Sequence, residues 1–107
     1  MSVTRLSRLP RRFVLGREVA VAAGFRARLL GLSRIDREAA GSGLLLPRCS
    51  SVHTFGMRFE LDLVFLDGDG EALEIRPAVP PRRLRRHPGA AAVLEIPAAQ
   101  GGETRAP

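Results

Sequence analysis

The sequence predicts a mainly β fold, a small antiparallel β barrel or sandwich with one short α-helix. Three observations carry that reading. From Phe55 to Phe65 every odd position is apolar, while the even positions begin Gly56, Arg58, Glu60, Asp62; this period of two is that of a half-buried strand. Short runs rich in Val, Leu and Phe recur between Gly and Pro residues, as strands separated by turns do. Only GFRARLLGL spaces apolar residues in a helical manner, with Phe25, Leu29 and Leu32 at i, i+4 and i+7. The chain has 107 residues, 45% apolar and 26% charged, which suits a single domain with its own core. That domain is expected over residues 11–98, between flexible tails at 1–10 and 99–107.

The elements follow in order. RRFVLG (11–16) and REVAVAAG (17–24) read as two short strands. The helix comes next, near residues 24–32, and Gly31 should end or weaken it. Ser33 followed by Asp36 resembles a capping box for one further turn. Gly41 and Gly43 mark a loop, and LLLP (44–47) is a short buried strand stopped by Pro47. The long alternating strand then runs to Phe65, and apolar Val64 and Leu66 imply that its end is covered on both faces. The following DGDG opens like a calcium loop, but Ala78 stands where the closing Glu would be required, which excludes that reading. A hairpin fits better. Pairing Phe65 with Leu73 and Leu63 with Ile75 demands a loop of odd length, and Gly68-Asp69-Gly70 supplies a type I turn closed by a left-handed Gly70. Residues 76–89, bracketed by prolines, read as a long loop, and AAAVLEIP (90–97) as a final strand. The expected core is Phe13, Phe25, Leu29, Phe55, Met57, Phe59, Leu61, Leu63, Phe65, Leu73, Ile75, Leu94 and Ile96.

Charge divides the chain. Net charge is +6, and all 17 basic residues are Arg. Residues 49–75 hold one Arg against six acids, a balance of −5, so the remainder carries +11. Arg5, Arg8, Arg11, Arg12 and Arg17 form one basic cluster; Arg82, Arg83, Arg85 and Arg86 form another. The second is a weak anion-binding loop that should attract polyanions non-specifically. It has no stacking aromatic platform, so specific nucleic-acid recognition is disfavoured. No apolar run is long enough for a membrane span. The Arg-rich start is acid-free up to Glu18 and faintly resembles a transit peptide in composition, but a tail running into the first strand is the preferred reading. A cytoplasmic protein, monomeric or weakly dimeric, is expected.

GLLLPRCSSVHTFGMRFELDLVFLDGDGEALEI, then VPPR, then VLEIPA, resembles the bacterial domain of unknown function 192 family, and the upstream FRARLLGL is similar to that family's helix. The resemblance spans about residues 13–98, and the His-Thr-Phe-Gly-Met-Arg-Phe run carries its specificity. It implies a compact, mainly β domain with a short helix, and it implies no activity. Glu60 stands where relatives often have Pro, and relatives usually continue past LEIPA with a further strand; an exposed sheet edge is therefore expected here.

The candidate ligand-binding residues are His53, Arg58 and Asp62. Cys49, Ser51 and His53 share strand parity, which raises a Cys-His pair as nucleophile and base or as metal ligands. Four residues of strand separate Cys49 and His53 by roughly 13 Å, whereas ligands on one zinc sit about 4 Å apart. No catalytic residue, metal or cofactor is therefore assigned. Arg58 could receive an anion with Asp62 beside it, and a solvated charged face is the plain alternative. Together these features favour a binding module for a small anionic ligand or a protein partner. The alternatives are a structural accessory protein and, less favoured, an unrecognised enzyme.

Overall fold

The computed structural model describes residues 5–22 and 24–99. The remaining parts of the expected tails, 1–4 and 100–107, lie outside the described residues. In chain order the elements are a 3-10 turn (Arg5–Arg8), β1 (Arg11–Val14), β2 (Arg17–Val21), α1 (Phe25–Leu30), α2 (Arg37–Ala40), β3 (Leu44–Pro47), β4 (Ser51–His53), β5 (Leu61–Leu66), β6 (Ala72–Val79), β7 (Leu84–Arg86) and β8 (Ala92–Pro97). The 3-10 turn lies inside the segment expected as a tail, and its Leu6 is buried.

The fold is mainly β. Its main sheet has six strands in the order β1-β2-β3-β8-β5-β6, and β4 and β7 form a separate two-stranded sheet. The main sheet is not closed into a barrel. It is mixed rather than purely antiparallel, because β2 and β3 run parallel. Helix α1 lies in the connection between them, as a parallel crossover requires. A second short helix, α2, fills the turn that follows. Leu15 and Gly16 both have positive φ and close the β1–β2 hairpin in two residues, the backbone that a tight hairpin turn needs.

Alternation along the central strands places side chains on both sheet faces. One face carries Leu44, Leu46, Leu61, Leu63, Phe65 and Val93, packed with Leu32 and Ile35 after α1 and with Val52 and Met57. The other carries Val19, Leu45, Val64, Leu66 and Leu94. Val64 and Leu66 are both buried, so this end of β5 is covered on both faces as its sequence implies.

The alternating stretch is not one strand. β5 starts only at Leu61, and residues 54–60 form a turn. Gly56 has φ +79°, a conformation that breaks extended structure. Phe55 consequently faces solvent.

The hairpin after β5 keeps its expected three-residue loop: Asp67 N–H donates to Glu71 O, and Gly70 has φ +83°. Asp67 Oδ1 also accepts from the amides of Asp69 and Glu71. The register beyond the loop differs from expectation. Leu66 faces Ala72, but Phe65 faces Glu74 and Val64 faces Ile75. Leu73 is therefore the extra residue of a bulge, which flips the returning strand by one position.

Of the expected core, Met57, Leu61, Leu63, Phe65 and Leu94 are buried, with Phe59 and Ile96 partly so. Phe13, Phe25, Leu29, Phe55, Leu73 and Ile75 are exposed. Phe13, Leu73 and Ile75 lie on the outermost strands β1 and β6. The other three sit on α1 and the 54–60 turn, which no further layer of the described residues covers. Residues 76–89 are also more ordered than a long loop: β6 continues to Val79 and β7 takes Leu84–Arg86.

Candidate functional site

The His-Thr-Phe-Gly-Met turn organises the region between α1 and the small sheet. Thr54 is fully buried. Its hydroxyl donates to Pro80 O at 2.7 Å and accepts from Arg83 N–H at 2.8 Å. Its backbone amide donates to Arg83 O, and its carbonyl accepts from Arg82 N–H. One threonine thus fastens the start of the arginine-rich segment to the end of β4. Gly56 O accepts from Arg34 N–H, which joins the same turn to the segment after α1.

His53 holds the helix. Its Nδ1 accepts from Phe55 N–H at 3.2 Å, and its Nε2 lies 2.8 Å from Leu29 O. An acceptor on Nδ1 and a carbonyl opposite Nε2 assign the neutral ring with its proton on Nε2. His53 is then a clasp between β4 and the last turn of α1.

Glu95 supports the other end of that turn. It sits in β8, an acid among apolar neighbours, and is 1% exposed. Its Oε1 accepts from Leu32 N–H at 3.0 Å. Gly31, with φ +54°, ends α1 directly against it: a Cβ built on Gly31 would lie 2.7 Å from Glu95 Oε1. The carboxylate therefore occupies the space that a side chain at position 31 would need.

Between these supports lies a cavity of about 300 Å³. Helix α1 contributes Phe25, Arg28 and Leu29; Leu46, Val52 and Leu84 add apolar wall; Cys49, Ser51, His53 and Glu95 add polar groups. Phe25 and Leu84 at its margin are 74% and 66% exposed, respectively. Arg28 is the cation of this cavity. Its Nη1 makes two long contacts, 3.4 Å each, to Pro47 O and Arg48 O. Its Nε is buried and has no hydrogen-bond partner among the described residues, although buried polar groups are ordinarily satisfied. The Cys49 thiol donates to Ser51 O at 3.0 Å.

The three residues singled out by sequence do not share this cavity. His53 lines it. Arg58 is exposed and pairs with Asp36 at 2.8 Å; α2 starts at Arg37, so Asp36 is its N-cap residue rather than the third position of a box opened by Ser33, and it makes no side-chain capping bond. Asp62 accepts from Ala78 N–H at 2.8 Å, inside a second irregularity of the β5–β6 pairing. Arg82, Arg83 and Arg86 are exposed, and Arg85 is half-buried. Among the described residues, no group of three or more His, Cys, Asp or Glu is placed to hold a metal ion. Sequence reasoning passed over Glu95, although a lone acid inside AAAVLEIP is a legible signal. It also treated Phe25, Leu29 and Leu84 as core or loop rather than as the margin of a cavity.

A profile of the domain of unknown function 192, described as an uncharacterised ACR, matches residues 11–105. The chain belongs to this family. No curated protein matches it significantly. Two solved structures share the family member's fold. One is a protein of Sinorhizobium meliloti named as a "putative transcription regulator", 24% identical, covering 82% of this chain and 78% of its own, with a TM-score of 0.68. The other is a protein of unknown function from Novosphingobium aromaticivorans, 16% identical, covering 92% and 88%, with a TM-score of 0.65. At these identities the likeness concerns fold alone.

Proposed function

We propose that this family member is a binding module whose ligand is a small, largely apolar molecule ending in an anionic group such as a carboxylate. One observation carries the reading: an apolar-walled cavity contains Arg28, whose guanidinium is buried at Nε and, among the described residues, is bonded only through two long contacts. Arginine offers five N–H donors in a planar fork suited to a carboxylate. Cavities of a few hundred Å³, mostly apolar with few polar groups, are typical of small-ligand sites. Glu95 is already engaged with the turn after α1, so it braces the site rather than presenting a free acid to the ligand.

This reading moves the anion receptor from Arg58 to Arg28, since Arg58 is committed to Asp36. His53 remains in the proposal as wall and clasp. Binding is favoured over catalysis because Cys49 and both ring nitrogens of His53 are bonded elsewhere, which leaves neither poised as nucleophile or base.

The test is calorimetric titration of the purified protein with octanoate and, in parallel, octanol. Octanoate should bind saturably and raise the melting temperature, with octanol weaker. Arg28→Gln should weaken octanoate about tenfold or more, the worth of one charge-assisted hydrogen bond, and leave octanol unchanged. Equal affinity for acid and alcohol, or an indifferent Arg28→Gln, would overturn the anionic assignment.

A further inference from the structure

The cavity opens within a patch that a soluble surface has no reason to carry. Phe25, Leu29 and Leu84 line its margin and are exposed. The exposed Phe55 ring packs 5.9 Å from that of His53, another wall residue. Three large exposed apolar side chains thus line one opening, and a fourth, Phe55, adjoins it beside His53. Scattered exposed apolar residues need no explanation, whereas a contiguous group marks an interaction surface.

The charge around the patch has one sign. Exposed Arg26 follows Phe25, and exposed Arg83 precedes Leu84. β4 and β7 pair Ser51 with Arg86 and His53 with Leu84. Alternation therefore puts exposed Arg86 on the same face of the small sheet as Ser51, His53 and Leu84, which line the cavity. Residues 24–35 and 76–94 contain no acid, and Glu95, the acid that lines the cavity, is buried rather than on the surface.

We infer that this surface docks on an anionic lipid bilayer, with Phe25, Leu29, Phe55 and Leu84 entering the interface, Arg26 and Arg86 facing the headgroups, and exposed Arg82 and Arg83 adding positive charge at the start of β7. The physics is that of peripheral membrane proteins, in which apolar insertion and basic attraction to acidic lipids act together. A second copy of the chain is a poor occupant, because pairing the patch with itself brings arginines against arginines. A folded or peptide partner fits less well than a bilayer. Side chains protruding from three segments need matching pockets on a protein, and none in a fluid interface. The inference shares its cavity with the proposed ligand site and deepens that reading, since a bilayer would present apolar acids directly to the opening. It can also fail separately.

The experiment is co-sedimentation of the whole chain with vesicles of phosphatidylcholine alone and of phosphatidylcholine with phosphatidylglycerol. Binding is expected only to the second. Phe25→Ser with Leu84→Ser should abolish it at physiological salt. Replacing Arg82, Arg83 and Arg86 by Gln should weaken it on the order of a hundredfold, from three lost surface charges. All these positions are exposed, so circular dichroism should show unchanged folding. Overturning results are absence of binding to either vesicle, full binding by the Phe25→Ser, Leu84→Ser variant, or a stable dimer that buries Phe25. Tighter binding to an acidic apolar peptide than to vesicles would also overturn it. Octanoate titration without vesicles tests the ligand reading independently of all these outcomes.

Discussion

Strand β5 and helix α1 are each six residues long, LDLVFL against FRARLL, with five large apolar residues in the strand and three in the helix. Five of the six residues of β5 are buried, and none of α1 is. Composition accounts for part of the difference, but Phe25 and Leu29 are large, apolar and exposed all the same, so neighbours account for the rest. β5 has β8 on one side and β6 on the other, with side chains covered on both faces. Among the described residues, no layer lies over the outer side of α1. It is held by His53 on Leu29 O and by long contacts from Arg28. The turn that follows it is fixed by Glu95 on the Leu32 amide. Burial is therefore concentrated in the central strands of the main sheet, and the exposed apolar side chains around the cavity sit on the helix, the 54–60 turn and the small sheet.

The sharpest way to break that contrast is Phe65→Ala in β5. Phe65 is fully buried, and truncation should cost about 3–5 kcal/mol in urea unfolding. A loss comparable to that of an exposed residue would mean that the sheet is not the stabilising half. Next comes Gly31→Ala at the end of α1. A non-glycine residue in this backbone costs on the order of 1–3 kcal/mol, and the new methyl would also push on Glu95. Unfolding measurements should show a clear loss, partly recovered when Glu95→Asp is added; no loss would show that α1 can end without touching the core.

The sequence made the first of these elements legible and misread the second. Period-two alternation puts Phe65 in the core, because it is a local signal with one interpretation. Helical spacing puts Phe25 and Leu29 there too, because it shows that two residues share a face but not what that face meets. The Leu73 bulge escaped for a related reason: one inserted residue changes every later pairing, yet leaves the local apolar pattern intact. Arg58 and Asp62 had the chemistry of an anion site, but their partners, Asp36 and the Ala78 amide, come from other segments that no spacing rule brings together. Arg28 and Glu95 meet one cavity from positions far apart in the chain, so only the fold reveals the juxtaposition.

Two smaller effects sharpen the comparison. His53→Ala removes the clasp on Leu29 O and should cost about 0.5–1.5 kcal/mol. Amide hydrogen exchange should accelerate in residues 25–30 and not in β5; uniform acceleration would mean that His53 supports the whole fold. Phe25→Ser should change stability by less than about 0.5 kcal/mol, as surface substitutions do. A large loss on unfolding would place Phe25 in a packed environment and remove it from any docking surface.

The contact between Gly31 and Glu95 also constrains the routes by which relatives of this protein can diverge. A methyl at position 31 and a glutamate at position 95 claim the same volume, so the two sites cannot drift independently. Shortening position 95 first is passable, because it leaves a gap beside a glycine and costs the Leu32 amide its acceptor. Enlarging position 31 first meets both a collision and an unfavourable backbone. The order of substitutions is therefore fixed by a distance. Two loci 64 residues apart should be inherited as a linked pair, with a larger residue at 31 found only in lineages that have already shortened 95.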